Sequence, residues 1–169
     1  MEKYKIMVCS IKVFQTLMEE NGLDDSNVEV FDTTAFVSIV SHAKKSIGEM
    51  YFRHGVGDVH YFKENHANVI NLDIDDVEAD FEDAATVYKA ITAEQADDLV
   101  SFIKNNEHKD FVIHCHAGIS RSGGVALFLF DHFDWVDRED FRINVLPRIL
   151  PNMRIYRALT NCFEESNLL

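Results

Sequence analysis

The chain has 169 residues, of which 47% are hydrophobic and 11% aromatic, and its formal net charge is −13. This composition excludes a disordered chain, and the length suits one domain over residues 1–169 with a sizeable core. The acidic balance excludes a general basic surface, so an anion can bind only at a local site. We therefore expect neither nucleic acid nor a membrane as a partner, and the oligomeric state stays open.

The cysteines indicate free thiols. Cys9, Cys115 and Cys162 are an odd number, lie far apart in the chain and form no C-x-x-C pair. This pattern fits a reducing compartment better than a disulfide framework. The first ten residues contain no apolar region of signal-peptide length, and no run approaches the roughly 18 apolar residues of a membrane span. We expect a soluble, cytoplasmic protein.

The first half of the chain predicts mainly strands. Four short segments fit strands: residues 5–9, Val28–Phe31, Ala35–Val40 and Val69–Ile74. Between the first two, Ser10 can cap a helix from Ile11 to about Glu20, and Asn21 with Gly22 can end it. Residues 48–61 are rich in glycine and aromatic residues and predict an irregular excursion.

The second half predicts helices alternating with one strand. Thr92 and Gln95 have the spacing of a capping box and open a helix over residues 92–106. One apolar face of that helix is formed by Ala96, Leu99, Val100 and Ile103. A buried strand at Phe111–His114, a helix at Ser122–Phe133 and a last helix after Pro151 and Asn152 follow. The alternation predicts an α/β fold with a central, largely parallel sheet flanked by helices.

The segment F-V-I-H-C-H-A-G-I-S-R-S-G-G-V-A, residues 111–126, places Cys115 where a buried strand ends and a helix is about to begin. Ligands of α/β folds bind at such strand-to-helix loops. Backbone N–H groups of a tight loop, the helix N-terminus and the fork of Arg121 all favour an anion there. The same surroundings can lower a cysteine pKa from about 8.5 to roughly 3.5–7.5.

An isolated cysteine after an apolar strand is usually a core residue. Here Gly118, Arg121 and Ser122 stand three, six and seven positions after Cys115, a combination that chance rarely produces. Gly118 lets the backbone turn without a Cβ clash, and Ser122 can donate a hydrogen bond to the thiolate. The spacing therefore favours a functional loop.

H-C-H-A-G-I-S-R-S, residues 114–122, resembles the H-C-x-x-G-x-x-R-[S/T] signature of cysteine-dependent protein phosphatases, and is most similar to the dual-specificity and small prokaryotic or viral tyrosine-phosphatase-like branches. The resemblance implies a protein-tyrosine-phosphatase-like fold, with a phosphate-binding loop between a strand and a helix. It also implies that Cys115 forms a phosphocysteine, that Arg121 grips the phosphate oxygens and that Ser122 assists breakdown of the intermediate. His114 would tune the thiol. The remaining phosphate contacts would come from backbone amides of His116, Ala117, Gly118, Ile119, Ser120 and Arg121.

The family also needs a general acid, usually an aspartate upstream of the cysteine. The segment N-L-D-I-D-D-V-E, residues 71–78, resembles the family's L-x-I-x-D pattern and places Asp76 in that role. Asp75, Asp80 and Asp83 remain alternatives, because any one carboxylate here can simply belong to a solvated acidic loop. Neighbouring carboxylates would raise the pKa of a working acid.

Downstream, P-N-M-R-I-Y-R-A-L, residues 151–159, resembles a segment that brings an asparagine near the phosphate loop in some relatives. Asn152 can equally be the start of a helix. Arg154 and Arg157 share a helix face and can receive an anionic peptide or pair with surface acids.

The loop has no lysine between Cys115 and Arg121, and the chain is acidic, so polyanionic substrates are disfavoured. We expect a single phosphate on a protein or peptide as substrate, with the choice between phosphotyrosine and phosphoserine or phosphothreonine open. Four aromatic residues near the 48–61 excursion can wall the substrate cleft or pack on the core, and we favour the core: Tyr51, Phe52, Tyr61 and Phe62.

Other functions fit less well. Three contiguous residues, His114 to His116, cannot all face one metal ion, so we expect neither a metal nor another cofactor. Rhodanese-like enzymes have a shorter loop, and low-molecular-weight phosphatases and arsenate reductases carry theirs near the N-terminus. The main alternative is a phosphate-binding module that uses the same loop without turnover.

Overall fold

Four parallel strands form the central sheet of the computed structural model, which describes residues 1–44, 55–83 and 86–168. They are β1 (Ile6–Ser10), β2 (Thr34–Val40), β3 (Val69–Asp73) and β6 (Asp110–Cys115), and they lie side by side in the order β1-β6-β2-β3. A separate antiparallel ribbon consists of β4 (Phe81–Asp83) and β5 (Thr86–Tyr88). The predicted α/β fold with a parallel central sheet is confirmed.

The main helices begin and end close to the predicted positions. They are α1 (Ile11–Glu20), α2 (Ala93–Asn105), α3 (Arg121–His132), the single-turn α4 (Arg138–Asp140) and α5 (Met153–Asn167). Ser10 Oγ accepts a hydrogen bond from the Val13 N–H at 3.2 Å and caps α1. The predicted capping box of Thr92 and Gln95 is present at the start of α2.

The two faces of the sheet are covered by different helices. Along β2, Val37 and Ile39 point to the side where α2, α3 and α5 pack. Phe36 points to the opposite side and packs against Phe14 of α1, with ring centroids 6.1 Å apart. Each fully buried phenylalanine of this kind contributes roughly 1.5–3 kcal/mol of hydrophobic stabilisation. Helices therefore cover both faces of the sheet, and the carboxyl ends of its strands remain available for a site.

One predicted strand is wrong. Val28–Phe31 was predicted to be a strand, but Val28–Val30 forms a turn of 3-10 helix. The reason is local turn chemistry. The Asp24 carbonyl accepts from the Val28 N–H at 3.0 Å, and the Asp24 side chain accepts from the Ser26 N–H at 2.8 Å. These hydrogen bonds close the backbone on itself before it can reach the sheet.

Two regions were not anticipated as regular structure. The β4–β5 ribbon lies in the acidic segment, and residues 141–148 continue α4 as a π-helical turn followed by a 3-10 turn. Within the predicted excursion over residues 48–61, residues 48–54 with Tyr51 and Phe52 lie outside the described part. Residues 55–61 are irregular, as expected.

Two of the excursion's aromatic residues belong to the core, as predicted. Phe62 is fully buried, and the Tyr61 hydroxyl donates to the Leu23 carbonyl at 2.6 Å. Within the described ranges, every helix is too short or too polar to cross a bilayer.

Candidate active site

The loop of residues 116–120 joins the end of β6 to the start of α3. Gly118 adopts φ +73°, and a Cβ at this position would lie 2.3 Å from the carbonyl carbon of Cys9 at the end of β1. The His116 carbonyl accepts from the Ile11 N–H of α1 at 3.2 Å. The loop is thus clamped against the β1–α1 junction, and only glycine fits at position 118.

Cys115 ends β6 with its side chain almost entirely buried. Its Sγ lies 3.1 Å from Ser122 Oγ in the first turn of α3. Burial alone would raise the pKa of the Cys115 thiol. Hydrogen bonds from the hydroxyl and N–H of Ser122, the charge of Arg121 and the backbone of Ile119 outweigh burial and lower that pKa. The site therefore favours a thiolate.

Arg121 is buried at the N-terminus of α3 and is anchored by two segments of the sheet edge. Its Nη1 donates to the Ile74 carbonyl at 2.9 Å and to Ser41 Oγ at 3.2 Å. Ile74 follows β3 and Ser41 follows β2. The guanidinium is therefore held in one orientation beside the loop, which reduces the entropy lost when an anion binds.

Asp76 contacts the loop directly. Its Oδ1 accepts one hydrogen bond from the Ser120 hydroxyl and another from Asn152 Nδ2, both at 2.8 Å. Asn152 also caps α5, because its Oδ1 accepts from the Ile155 N–H at 3.0 Å, and its own N–H donates to the Ser120 carbonyl at 2.9 Å. Both interpretations of Asn152 are therefore compatible: it starts a helix and it lies beside the loop.

The alternative acids are used elsewhere. Asp75 is buried and accepts from the N–H groups of Lys89 at 2.7 Å and Ala43 at 3.1 Å. Asp80 is exposed and accepts from the Ala90 N–H, a hydrogen bond that lowers its pKa and keeps it ionised. Asp83 lies on the exposed strand β4. Asp76 is the candidate with hydrogen bonds to the loop.

Behind the loop, a chain of hydrogen bonds runs from the surface to Cys115, and the sequence did not predict most of it. His114 Nδ1 lies 3.2 Å from the Cys115 carbonyl oxygen, and His114 Nε2 lies 2.7 Å from Ser38 Oγ. Ser38 Oγ lies 2.7 Å from His60 Nδ1, and His60 Nε2 lies 2.7 Å from Asp73 Oδ1. One signal was available, because Ser38 is the lone hydroxyl in the apolar run A-F-V-S-I-V. His60 carried none.

His114 is a buried, neutral histidine. Burial lowers its pKa to about 4, and the hydrogen bond to the Cys115 carbonyl opposes this shift only in part. Its ring lies against Phe14 of α1, with centroids 4.4 Å apart. This environment fixes the ring plane, so the two ring nitrogens keep their separate partners.

A second histidine of the loop pairs with an acid that the sequence did not single out. His116 Nδ1 lies 2.9 Å from Asp58 Oδ2. A Cβ on Gly55 would lie 2.7 Å from the Cβ of His116, so the turn at residues 55–58 is in close contact with the loop. Arg154 and Arg157 line a cleft between α2 and α5 that also contains Glu78, Asp97 and Glu165.

No protein-family model matches the chain, and no curated protein sequence matches it. Nine chains of solved structures match, among them a crystal structure of the PTP-2 phosphatase of Cydia pomonella. That likeness covers 93% of this chain and 84% of the other, with 17% identity and a TM-score of 0.46. So weak a likeness does not define a function, which must come from the site.

Proposed function

We propose that the protein is a cysteine-based, metal-independent phosphatase that hydrolyses single phosphate esters on proteins. The observation that carries the proposal is the pairing of Cys115 Sγ with Ser122 Oγ at 3.1 Å, together with the lowered pKa of that thiol. Cys115 lies where the loop begins, and the helix after the loop begins with the buried Arg121. A thiolate in this position is suited to attack a tetrahedral oxyanion.

In the first step, the Cys115 thiolate attacks phosphorus and the bond from phosphorus to the substrate oxygen breaks. Asp76 gives its proton to that oxygen, which leaves as an alcohol or phenol. Arg121 and the loop N–H groups stabilise the charge on the phosphoryl oxygens throughout. In this role, the hydrogen bonds of Ser120 and Asn152 keep the Asp76 carboxyl group beside the loop.

In the second step, water attacks the phosphocysteine and gives one proton to the Asp76 carboxylate. The sulfur–phosphorus bond breaks, inorganic phosphate forms and Cys115 returns to a thiolate. The Ser122 hydroxyl stabilises the departing sulfur by donating a hydrogen bond to it. The two steps restore every group to its starting protonation state.

The substrate class follows from charge. The net charge of −13 repels polyanions, and the loop contains no lysine to offset that repulsion. A single phosphate on a protein side chain suits these properties better than an inositol lipid or a nucleic acid end. Phosphotyrosine and phosphothreonine peptides offered in parallel would decide the preference between them.

The alternative is a phosphate-binding module without turnover. Such a module has no need of a nucleophile or an acid, whereas Cys115 and Arg121 are both present and Asp76 is hydrogen-bonded to the loop. These features favour catalysis over simple binding.

The decisive experiment is hydrolysis of para-nitrophenyl phosphate in EDTA from about pH 5 to about pH 8. We expect vanadate-sensitive turnover in the wild type and in Cys162→Ser, whose cysteine lies in the cleft between α2 and α5, and none in Cys115→Ser. Phosphate binding without wild-type turnover would instead identify a binding module. Turnover that survives Cys115→Ser would rule out the phosphocysteine.

A further inference from the structure

The hydrogen-bond chain behind the loop contains more links than its neutral side chains can supply with protons. It has four links, from Asp73 through His60, Ser38 and His114 to the Cys115 carbonyl. Both ends are acceptors. Between a carboxylate at one end and a carbonyl at the other, two neutral imidazoles and one hydroxyl provide three protons, so all four links form together only when one imidazole is also protonated.

The extra proton belongs on His60. Asp73 contacts His60 directly, whereas His114 is fully buried and its pKa is lowered to about 4. When His60 is an imidazolium, its Nδ1–H donates to Ser38, Ser38 donates to His114 Nε2, and His114 Nδ1–H donates to the Cys115 carbonyl. In this arrangement every link is satisfied.

When one proton is lost, the weakest link opens. The carboxylate of Asp73 is a stronger acceptor than a carbonyl, so His60 keeps its Nε2–H on Asp73. His60 Nδ1 then accepts from Ser38, the Ser38 oxygen accepts from His114 Nε2–H, and His114 Nδ1 carries no proton. The link that opens is the longest of the four, 3.2 Å from His114 Nδ1 to the Cys115 carbonyl.

We propose that His60 is a positioning residue that determines, through Ser38, which ring nitrogen of His114 carries the proton. Protonated His60 directs the His114 Nδ1–H at the carbonyl of Cys115, and neutral His60 removes that donor. The protonation of a partly exposed histidine thereby reaches the residue that holds the nucleophile. The inference rests on the proposed function only for the effect on turnover.

The charged groups around His60 set where this change occurs. Burial lowers the pKa of His60, the Asp73 carboxylate opposes that shift, and the Lys44 ammonium adds to it. Lys44 itself lies 3.6 Å from Asp73, and the charges of His60 and Arg121 both act on His114. The change therefore falls on the acid side of the ordinary histidine pKa of 6.5.

The direct test is NMR of the folded protein with 15N-labelled histidines, titrated from about pH 8 to about pH 5. The nitrogen shifts identify the protonated ring atom. We expect His114 to change from Nε2–H to Nδ1–H as His60 gains its proton. A His114 tautomer that stays constant while His60 titrates would overturn the proposal, and this measurement requires neither a variant nor activity.

Two variants and two matched controls test the route. Ser38→Ala should abolish the dependence of the His114 tautomer on pH, whereas Ser101→Ala, an exposed serine of α2, should preserve it. His60→Gln should have the same effect as Ser38→Ala. His66→Gln removes another histidine–aspartate pair, in which Nε2 lies 2.8 Å from Asp25, and should leave the coupling intact. Coupling that persists in Ser38→Ala would contradict the route.

A chemical readout separates this inference from the proposed function. The rate at which iodoacetamide alkylates Cys115, located by peptide mass, should show an inflection at the pKa of His60 in the wild type and in His66→Gln. That inflection should be lost in His60→Gln. Absent turnover with intact coupling would refute the proposed function alone, and turnover with no coupling would refute the inference alone.

Discussion

Ser120 donates its hydroxyl to Asp76 at 2.8 Å, although the two residues are 44 positions apart in the chain. Ser120 belongs to the loop after β6, and Asp76 follows the edge strand β3. The contact joins the segment that carries the proposed nucleophile to the segment that carries the proposed acid. Their relative position is therefore fixed before any substrate arrives.

Asp76→Asn tests the proposed acid. The amide keeps the shape of the side chain and cannot give up a proton, so turnover of alkyl phosphates should fall about 10²–10⁴-fold. Para-nitrophenyl phosphate should lose much less, because its leaving group needs little protonation. The matched control is Asp80→Asn, an exposed carboxylate that accepts from the Ala90 N–H and the Lys89 ammonium, which should retain wild-type rates. Equal losses in both variants would move the acid elsewhere.

Ser122→Ala tests the activation of the thiol. Burial raises the pKa of Cys115 and the hydrogen bonds of Ser122 lower it, so removing the hydroxyl should raise that pKa. The pH dependence of Cys115 alkylation should then move to higher pH. Ser166→Ala, an exposed serine of α5, serves as the control. An unchanged profile in Ser122→Ala would show that the hydroxyl does not stabilise the thiolate.

Gly118→Ala tests the clamp on the loop. The backbone has φ +73°, and the new Cβ would lie 2.3 Å from Cys9, so we expect a loss of unfolding free energy of about 3 kcal/mol or more. Gly22→Ala provides the comparison, because Gly22 has φ +63° with open space around it. That variant should cost only about 1–2 kcal/mol. Denaturant unfolding measures both values, and equal costs would contradict the clash.

Asn152→Ala tests whether the cap of α5 also positions Asp76. Loss of the cap should cost about 1 kcal/mol of stability, and Thr92→Ala, which removes the cap of α2, should cost about the same. Of these two variants, Asn152→Ala should also slow the hydrolysis of alkyl phosphates, because the Asn152 side chain donates to Asp76 whereas Thr92 belongs to the cap of α2. If Thr92→Ala slowed the reaction equally, stability rather than position would explain the effect.

The buried His114 should make the fold sensitive to acid. Its pKa is about 4 in the folded state and the ordinary value is 6.5, so below pH 6.5 the unfolded chain binds a proton that the folded chain does not. The free energy of unfolding therefore contains the full contribution of His114 above pH 6.5. It falls by about 3 kcal/mol as the pH decreases to 4. His114→Gln should flatten this dependence in urea unfolding curves. A slope that is unchanged in the variant would assign it to other groups.

The sequence predicts the elements whose signals are local. Ser10 and the box of Thr92 and Gln95 mark helix starts by their own hydrogen bonds, and the cysteine loop is recognisable because its chemistry needs fixed spacing. These signals depend on neighbours within a few positions, which a single sequence displays directly.

What the sequence does not predict depends on partners far along the chain. The L-x-I-x-D pattern favours Asp76 but leaves Asp75 and Asp80 open, because all three are carboxylates of one acidic segment. The fold shows that Asp76 is the one that accepts from Ser120. His60 belongs to an irregular segment, and its contact with Ser38 requires two distant segments to meet. The strand predicted at Val28–Phe31 is wrong for the opposite reason, because the local turn at Asp24 outweighs the strand pattern.

The position of Asn152 late in the chain affects the order in which the site assembles during protein synthesis. It stands 76 positions after Asp76, and a Cβ on Gly124 would lie 2.7 Å from its carbonyl oxygen, so α5 seats closely against α3. On the ribosome, the cysteine loop emerges before that helix does. Contacts this distant in sequence form late, because the intervening chain must first be ordered. A nascent chain would thus expose its thiol loop while Ser120 is the one of these two partners able to hold Asp76, and the second hydrogen bond, from Asn152, would form only when the last helix docks.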